Sequence, residues 1–281
     1  MRRAQYIKRS IPRFIVYCLL TTLGIVWIYP FIWMIASSLK TNSEYIIGGI
    51  SLIPEELQWE NYDRAWNVAN FSSYFMSSVV FTTSVVLIVV SLCAMTGYVL
   101  GRYHFHGRKL FIVLITATLF MPKGFTIIPI YMLINSIGLN GTMLGMILGE
   151  TAQAHVLFIL LFTAHFSKLP KELEEASEID GCGFLRTFVQ VMLPLSKPII
   201  ATTSILQFMW AWNAFLVPLI FSITNPDIRT LGVGMYQFVG EFSVDWTGMA
   251  AAASISLIPI IVVFICFQRY FVEGVAGAVK G

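Results

Sequence analysis

Six apolar stretches dominate this chain, at roughly 14–37, 74–100, 110–138, 142–166, 198–223 and 247–268. Each is close to the ~20 residues a helix needs to cross the hydrocarbon core of a bilayer. The expected fold is therefore an all-α integral membrane protein of six transmembrane helices. The charge supply agrees. Only 12% of residues are charged, 57% are hydrophobic, and the mean hydropathy is +0.77. A soluble domain carries about 25% charged residues, so a water-facing surface cannot be built from this stock.

The first run follows the basic stretch "MRRAQYIKRSIPR". It exceeds the ~7–15 apolar residues of a signal peptide, and no small-residue cleavage site follows. It is read as a retained anchor. The domains expected are a basic tail (1–13), a six-span body (14–270) and a second tail (271–281). Cys18, Cys93, Cys182 and Cys266 lie far apart, which points to buried thiols rather than disulfides or a CxxC metal site.

Lysine and arginine counts give the orientation. Fourteen bases fall on one side: Arg2, Arg3, Lys8, Arg9, Arg13, Arg102, Arg108, Lys109, Lys168, Lys171, Arg186, Lys197, Arg269 and Lys280. The other side has Lys40, Arg64 and Arg229 beside Glu44, Glu55, Glu56, Glu60 and Asp63. Both termini are accordingly expected in the cytosol. On the outer side, Trp59, Tyr62 and Trp66 suit a segment at headgroup level. Residues 224–246 fit a protruding loop or a plain connector equally well.

One cytosolic loop, 167–197 between the fourth and fifth spans, breaks the apolar pattern. Pro170 suits a first helical turn. Leu173, Ala176 and Ile179 recur every third residue as an apolar stripe, with Glu174, Glu175, Glu178 and Asp180 elsewhere. Gly181 and Gly183 permit a sharp turn, and a second apolar segment (Phe184, Leu185, Phe188, Val189, Val191) runs to Pro194. Two short amphipathic helices at an angle are expected. A helix pair lying on lipid would carry Lys and Arg toward the negative inner leaflet, so the acids favour a protein partner.

These residues resemble a known pattern. Glu175-Ala176-Ser177, three residues, Gly181, nine residues, Val191-Met192-Leu193-Pro194 keeps the spacing of the EAA loop of ABC-importer permeases. The departures are Ser177 for alanine and Val191 for isoleucine. "AWNAFLVPLI" (211–220) and "QRYFVEGVAGAVKG" (268–281) are similar to the carbohydrate-uptake branch, specifically the second, smaller permease of maltose-type systems. The resemblance implies a coupling helix that docks on a cytosolic ATPase, with Glu175, Ala176, Ser177, Asp180, Gly181, Leu193 and Pro194 at the joint. It further implies that the C-terminal tail, with Gly274, Gly277, Lys280 and Gly281, reaches between ATPase subunits. The partners implied are a homologous sister permease, two copies of the ATPase, an extracytoplasmic solute-binding protein, a sugar and membrane lipid, with no nucleic acid. The location implied is the cell membrane of a bacterium or archaeon.

The chain has no GxxxxGK[ST] phosphate loop and no catalytic spacing, so it is read as a non-catalytic subunit without a cofactor of its own. ATP and Mg are left to the partner ATPase. His104 and His106 are expected in solvent, and His155 and His165 in packing or along the pathway. A stand-alone secondary transporter would show coupling-ion sites and internal repeats, and a polyol or glycerol-phosphate-type solute is the alternative cargo. Lys123, Glu150, Gln153 and Asn213 are the polar candidates for the pathway. A charge at mid-bilayer costs ~2.5–3.5 kcal/mol, so Lys123 and Glu150 either pair or face a water-filled cavity.

Overall fold

A computed structural model describes the backbone of residues 2–153, 155–240 and 243–279, and the side chains of 14–122, 124–153, 155–240 and 243–268. Among these residues the regular elements are helices, with one isolated bridge between Val239 and Val244. Three helices are long and apolar enough to cross a membrane: Phe14–Ser37, Phe71–Arg102 and Trp246–Gln268. Three further pairs qualify only together and are bent. Arg108–Phe120 meets Gly124–Ser136 at 110°, Met143–Thr151 meets Val156–Lys168 at 60°, and Phe184–Leu195 meets Lys197–Trp212 at 82°. Counting each bent pair as one span gives six.

The breaks have local causes. Met121 precedes Pro122, whose ring pushes it out of the helical region, and it is extended at ψ 122°. The fifth apolar stretch ends its helix at Trp212 and resumes at Leu216–Phe221. Pro218 in a continuous helix would clash with the carbonyl of Ala214. Instead Asn213 closes the first helix, its Nδ2 donating to the Met209 carbonyl at 2.8 Å. The break in the fourth apolar stretch, at 152–155, contains no proline. It carries Gln153 and His155, and Thr151 turns its hydroxyl back onto the Leu148 carbonyl at 3.0 Å.

The chain forms two compact units. In the unit of 72–234 and 258–281, helix Phe71–Arg102 supplies a buried stripe of Phe81, Val85, Val89 and Cys93, packed with Phe158, Phe162, Phe166 and Phe221. Lipid offers helices no hydrophobic reason to associate, so close contact must come from small residues. Gly97 and Gly101 provide it. A Cβ at Gly97 would strike Phe162, and one at Gly101 would lie 2.9 Å from the Thr163 carbonyl oxygen. This approach sets Tyr98 and Arg102 against the C-terminal end of helix Val156–Lys168.

In the unit of residues up to 71 with 235–257, the segment after the first helix is held by hydrogen bonds and stacked rings. Asn61 is buried, and its Nδ2 donates to the carbonyls of Ser38 (2.9 Å) and Lys40 (2.8 Å). Lys40 is buried as well, with Nζ 2.6 Å from the Ser51 carbonyl. Tyr45 stacks on Trp246 at 5.7 Å. The helix Phe14–Ser37 keeps its apolar side chains outward, none of them buried over the apolar window.

Candidate functional site

The acidic passage folds as anticipated in outline. Helix Glu172–Ile179 opens with Glu172, Glu174 and Glu175 in its first turn, where carboxylates complement the positive end of the helix dipole. It closes in a Schellman turn. The Gly181 N–H donates to the Glu178 carbonyl (3.0 Å) and the Cys182 N–H to that of Ser177 (2.9 Å). Gly181 stands at φ +74° with open space where a Cβ would sit, so glycine is required there by backbone conformation and not by room.

The second segment begins at Phe184–Thr187 and widens into a π-turn at Phe188–Met192. The Leu193 N–H reaches back to the Phe188 carbonyl, a widening that accommodates the donor missing at Pro194. The segment ends at Leu195, one residue beyond Pro194, and Lys197–Trp212 departs at 82°.

The faces of the acidic helix differ from the expected stripe. Ala176 and Ile179 lie on the surface, Ile179 at 87% exposure, alongside Glu175, Glu178 and Asp180. Turned inward are Leu173, Glu174 and Ser177. The cause lies across the joint, where polar partners await them. The Ser177 hydroxyl, 4% exposed, donates to the Glu174 carbonyl (2.8 Å) and lies 2.9 Å from that of Thr187, also buried. This bond ties the two short helices together. Of the residues singled out from the sequence, Glu175, Ala176, Asp180, Gly181 and Pro194 are exposed, Leu193 is half-buried and Ser177 is buried.

Sequence reasoning missed what holds Glu174. Arg102, from the end of helix Phe71–Arg102, donates to Glu174 through Nε (2.6 Å) and NH2 (2.5 Å). The same guanidinium serves the carbonyls of Leu169 (2.7 Å), Pro170 (3.3 Å) and Phe166 (3.4 Å). Tyr98 donates its hydroxyl to the other carboxylate oxygen at 2.8 Å. Its ring lies among Phe166, Phe184 and Phe188, with centroids 5.2–5.4 Å away. The signal available was Arg102 itself, a charge closing a long apolar helix in a chain with few charges.

Glu150, Gln153 and Asn213 come together on one cavity of about 540 Å³, lined also by Thr126, Met209 and Trp210. Glu150 is buried, and Gln153 makes no side-chain hydrogen bond among the described residues. The cavity lies beside three interruptions, after Pro122, at 152–155 and at 213–215. Lys123 opens helix Lys123–Ser136, but its side chain lies outside the described residues. Gly274 and Gly277 fall within helix Trp246–Val279, so the segment expected as a tail continues the last helix. Lys280 and Gly281 lie outside the described residues. His155 and His165 sit in packing contact with Phe158 and Phe166.

Residues 93–277 match the family described as binding-protein-dependent transport system inner membrane component. Over 254 residues the chain is 38% identical to a probable ABC transporter permease protein, YurM, of Bacillus subtilis, spanning 90% of this chain and 84% of that one. It is 34% identical over 255 residues to the diacetylchitobiose uptake system permease protein NgcG of Streptomyces coelicolor, again 90% and 84%. A crystal structure of a bacterial ABC transporter involved in the import of the acidic polysaccharide alginate contains a chain of the same fold. Its TM-score is 0.81 over 93% of this chain and 97% of that one, at 23% identity. With a matched family over most of its length and apolar helices throughout, the chain belongs to the binding-protein-dependent transport inner-membrane family, as a multi-pass permease subunit of an ABC transporter.

Proposed function

We propose that this chain is the smaller permease of a sugar importer, with both termini cytosolic, and that helix Glu172–Ile179 docks on the partner ATPase. One observation carries the docking reading. The helix is locked on its inner face while Glu175, Ala176, Glu178 and Ile179 stand free on the outer one. An acidic, apolar ridge on a braced helix suits a groove with a basic rim. The Gly181 turn then holds the ridge at a set angle to the second segment. The sister permease completes the pathway, and a binding protein delivers the solute. ATP and Mg act in the ATPase, two copies of which serve the pair.

For the cargo, the support is the relation to NgcG, a permease of a diacetylchitobiose uptake system, and the cavity itself. About 540 Å³ lies within the ~300–1,000 Å³ of small-molecule sites. An indole at Trp210 offers an apolar face for sugar C–H groups, and Gln153, Asn213 and Glu150 offer hydrogen bonds to hydroxyls. The docking test is charge reversal. Glu175→Arg is expected to lower the ATPase co-purifying with the membrane complex by about tenfold at low salt and by less at high salt, where the charges are screened, with the chain still inserted. Full retention of the ATPase would exclude Glu175 from the interface. Orientation is tested with Gly107→Cys, which should be shielded from an impermeant thiol reagent in intact cells; labelling there inverts the topology.

A further inference from the structure

Behind the outward ridge lies a device that the docking reading does not require but can use. The acidic helix has eight residues, or about 12 Å at the helical rise, which is too short to be stable by itself. Both its ends are turns, at Pro170 and at Gly181, and either could let it swing. Ser177 ties it to the neighbouring short helix only. Glu174 ties it to a span, because Arg102 lies 72 residues away at the end of helix Phe71–Arg102.

We propose that Arg102, Tyr98 and Glu174 form a clasp that passes movement of the docked helix into the span Phe71–Arg102. Arg102 and Glu174 act in it as positioning residues, not as contacts to the ATPase. The proposal rests on the docking reading and adds the route behind it. Three features support a rigid link. Both carboxylate oxygens of Glu174 are held, one by Arg102 and one by Tyr98, so the side chain cannot rotate freely. The guanidinium is 4% exposed and the carboxylate 18%, and shielding from water strengthens each bond. Arg102 also grips the carbonyls of Phe166, Leu169 and Pro170, joining the span, the helix Val156–Lys168 and the acidic helix at one point. A pair of fixed orientation transmits direction as well as contact. A patch of apolar packing allows sliding.

The test uses the complete transporter in proteoliposomes, with Cys18, Cys182 and Cys266 replaced by serine and Asn213→Cys as the reporter in the cavity wall. A small hydrophilic thiol reagent reads its labelling rate with and without ATP and vanadate. In the otherwise unaltered chain the rate should change about fivefold or more. Glu174→Ala leaves Arg102 its three carbonyl acceptors, so the bundle keeps its fold. This variant should retain the ATPase yet show less than about a twofold change. Glu174→Gln can accept from Arg102 through its one carbonyl oxygen and donate its amide to the Tyr98 hydroxyl, and should recover most of the response. A full response in Glu174→Ala, or loss of the ATPase from that variant, overturns the clasp. A reporter indifferent to ATP in the unaltered chain, together with an ATPase that survives Glu175→Arg, removes the docking reading itself.

Discussion

Two arginine–carboxylate pairs hold distant stretches of this chain together, in opposite surroundings. Arg102 and Glu174 are 4% and 18% exposed, whereas Arg64 and Asp245 are 43% and 26% exposed. The second pair has the better fork geometry, with Nε to Oδ2 at 2.9 Å and NH2 to Oδ1 at 3.0 Å. Geometry does not decide their weight. In each pair one member also serves backbone groups. In the buried pair that member is Arg102, which closes three carbonyls. In the exposed pair it is Asp245, which caps helix Trp246–Val279 by accepting from the Gly248 N–H at 3.0 Å. The costly half of an ion pair is thus the half that the backbone relies on, and it is a cation in one case and an anion in the other.

The largest effect should come from Arg102→Ala. It leaves the Glu174 carboxylate without its cation and takes the guanidinium from the carbonyls of Leu169 and Pro170 in a site with little water, and breaking a buried pair from one side costs about 3–5 kcal/mol. Removing Glu174 should cost much less, since Arg102 retains its carbonyls. The melting midpoint of the purified chain in detergent checks the order; equal losses would mean that the carbonyl bonds carry nothing. Next comes Gly101→Leu, which leaves both charges in place but holds apart the helices that bring them together. Its Cβ would already press on the Thr163 carbonyl oxygen and, at 3.0 Å, on the Phe166 Cβ. Overpacking of this kind costs about 1–3 kcal/mol. Gly107→Leu, with open space at its Cβ but φ +88°, is the control for backbone strain alone.

The same contrast shows what could be read beforehand. Apolar run length located the unbroken helices Phe14–Ser37, Phe71–Arg102 and Trp246–Gln268 because length and composition are local properties. The acidic helix and its Gly181 turn were legible for the same reason, since caps and glycine spacing act within a few residues. Pairings were not. Glu174 carries no mark that separates it from Glu175, yet one is gripped by a residue 72 positions away and the other stands in solvent. The apolar stripe through Leu173, Ala176 and Ile179 divides at the same point, with Leu173 turned inward beside Glu174 while Ala176 and Ile179 stay on the surface. The break at 152–155 stayed hidden for want of a proline, and the grouping of Glu150, Gln153 and Asn213 on one cavity needed three separate breaks to converge.

Asp245→Ala should cost about 0.5–2 kcal/mol, the usual range for a lost N-cap. Arg64→Ala is the smallest change and the sharpest check. Arg64 is nearly half exposed, so water and salt screen its attraction to Asp245, and an exposed pair contributes about 0–1 kcal/mol. Asp245 would keep its cap bond to Gly248 and its contact with Asn42 Nδ2 at 3.2 Å, so its carboxylate is not stranded. The Arg64 bond to Asn61 Oδ1 at 2.9 Å is lost as well, but Asn61 remains held by its two donations to Ser38 and Lys40. The expected result is a midpoint within a few degrees of the unaltered chain at low salt and no difference at about 1 M salt, where the screening length is ~3 Å. A loss as large as that of Arg102→Ala, unchanged by salt, would show that exposure is a poor guide to the weight of these pairs.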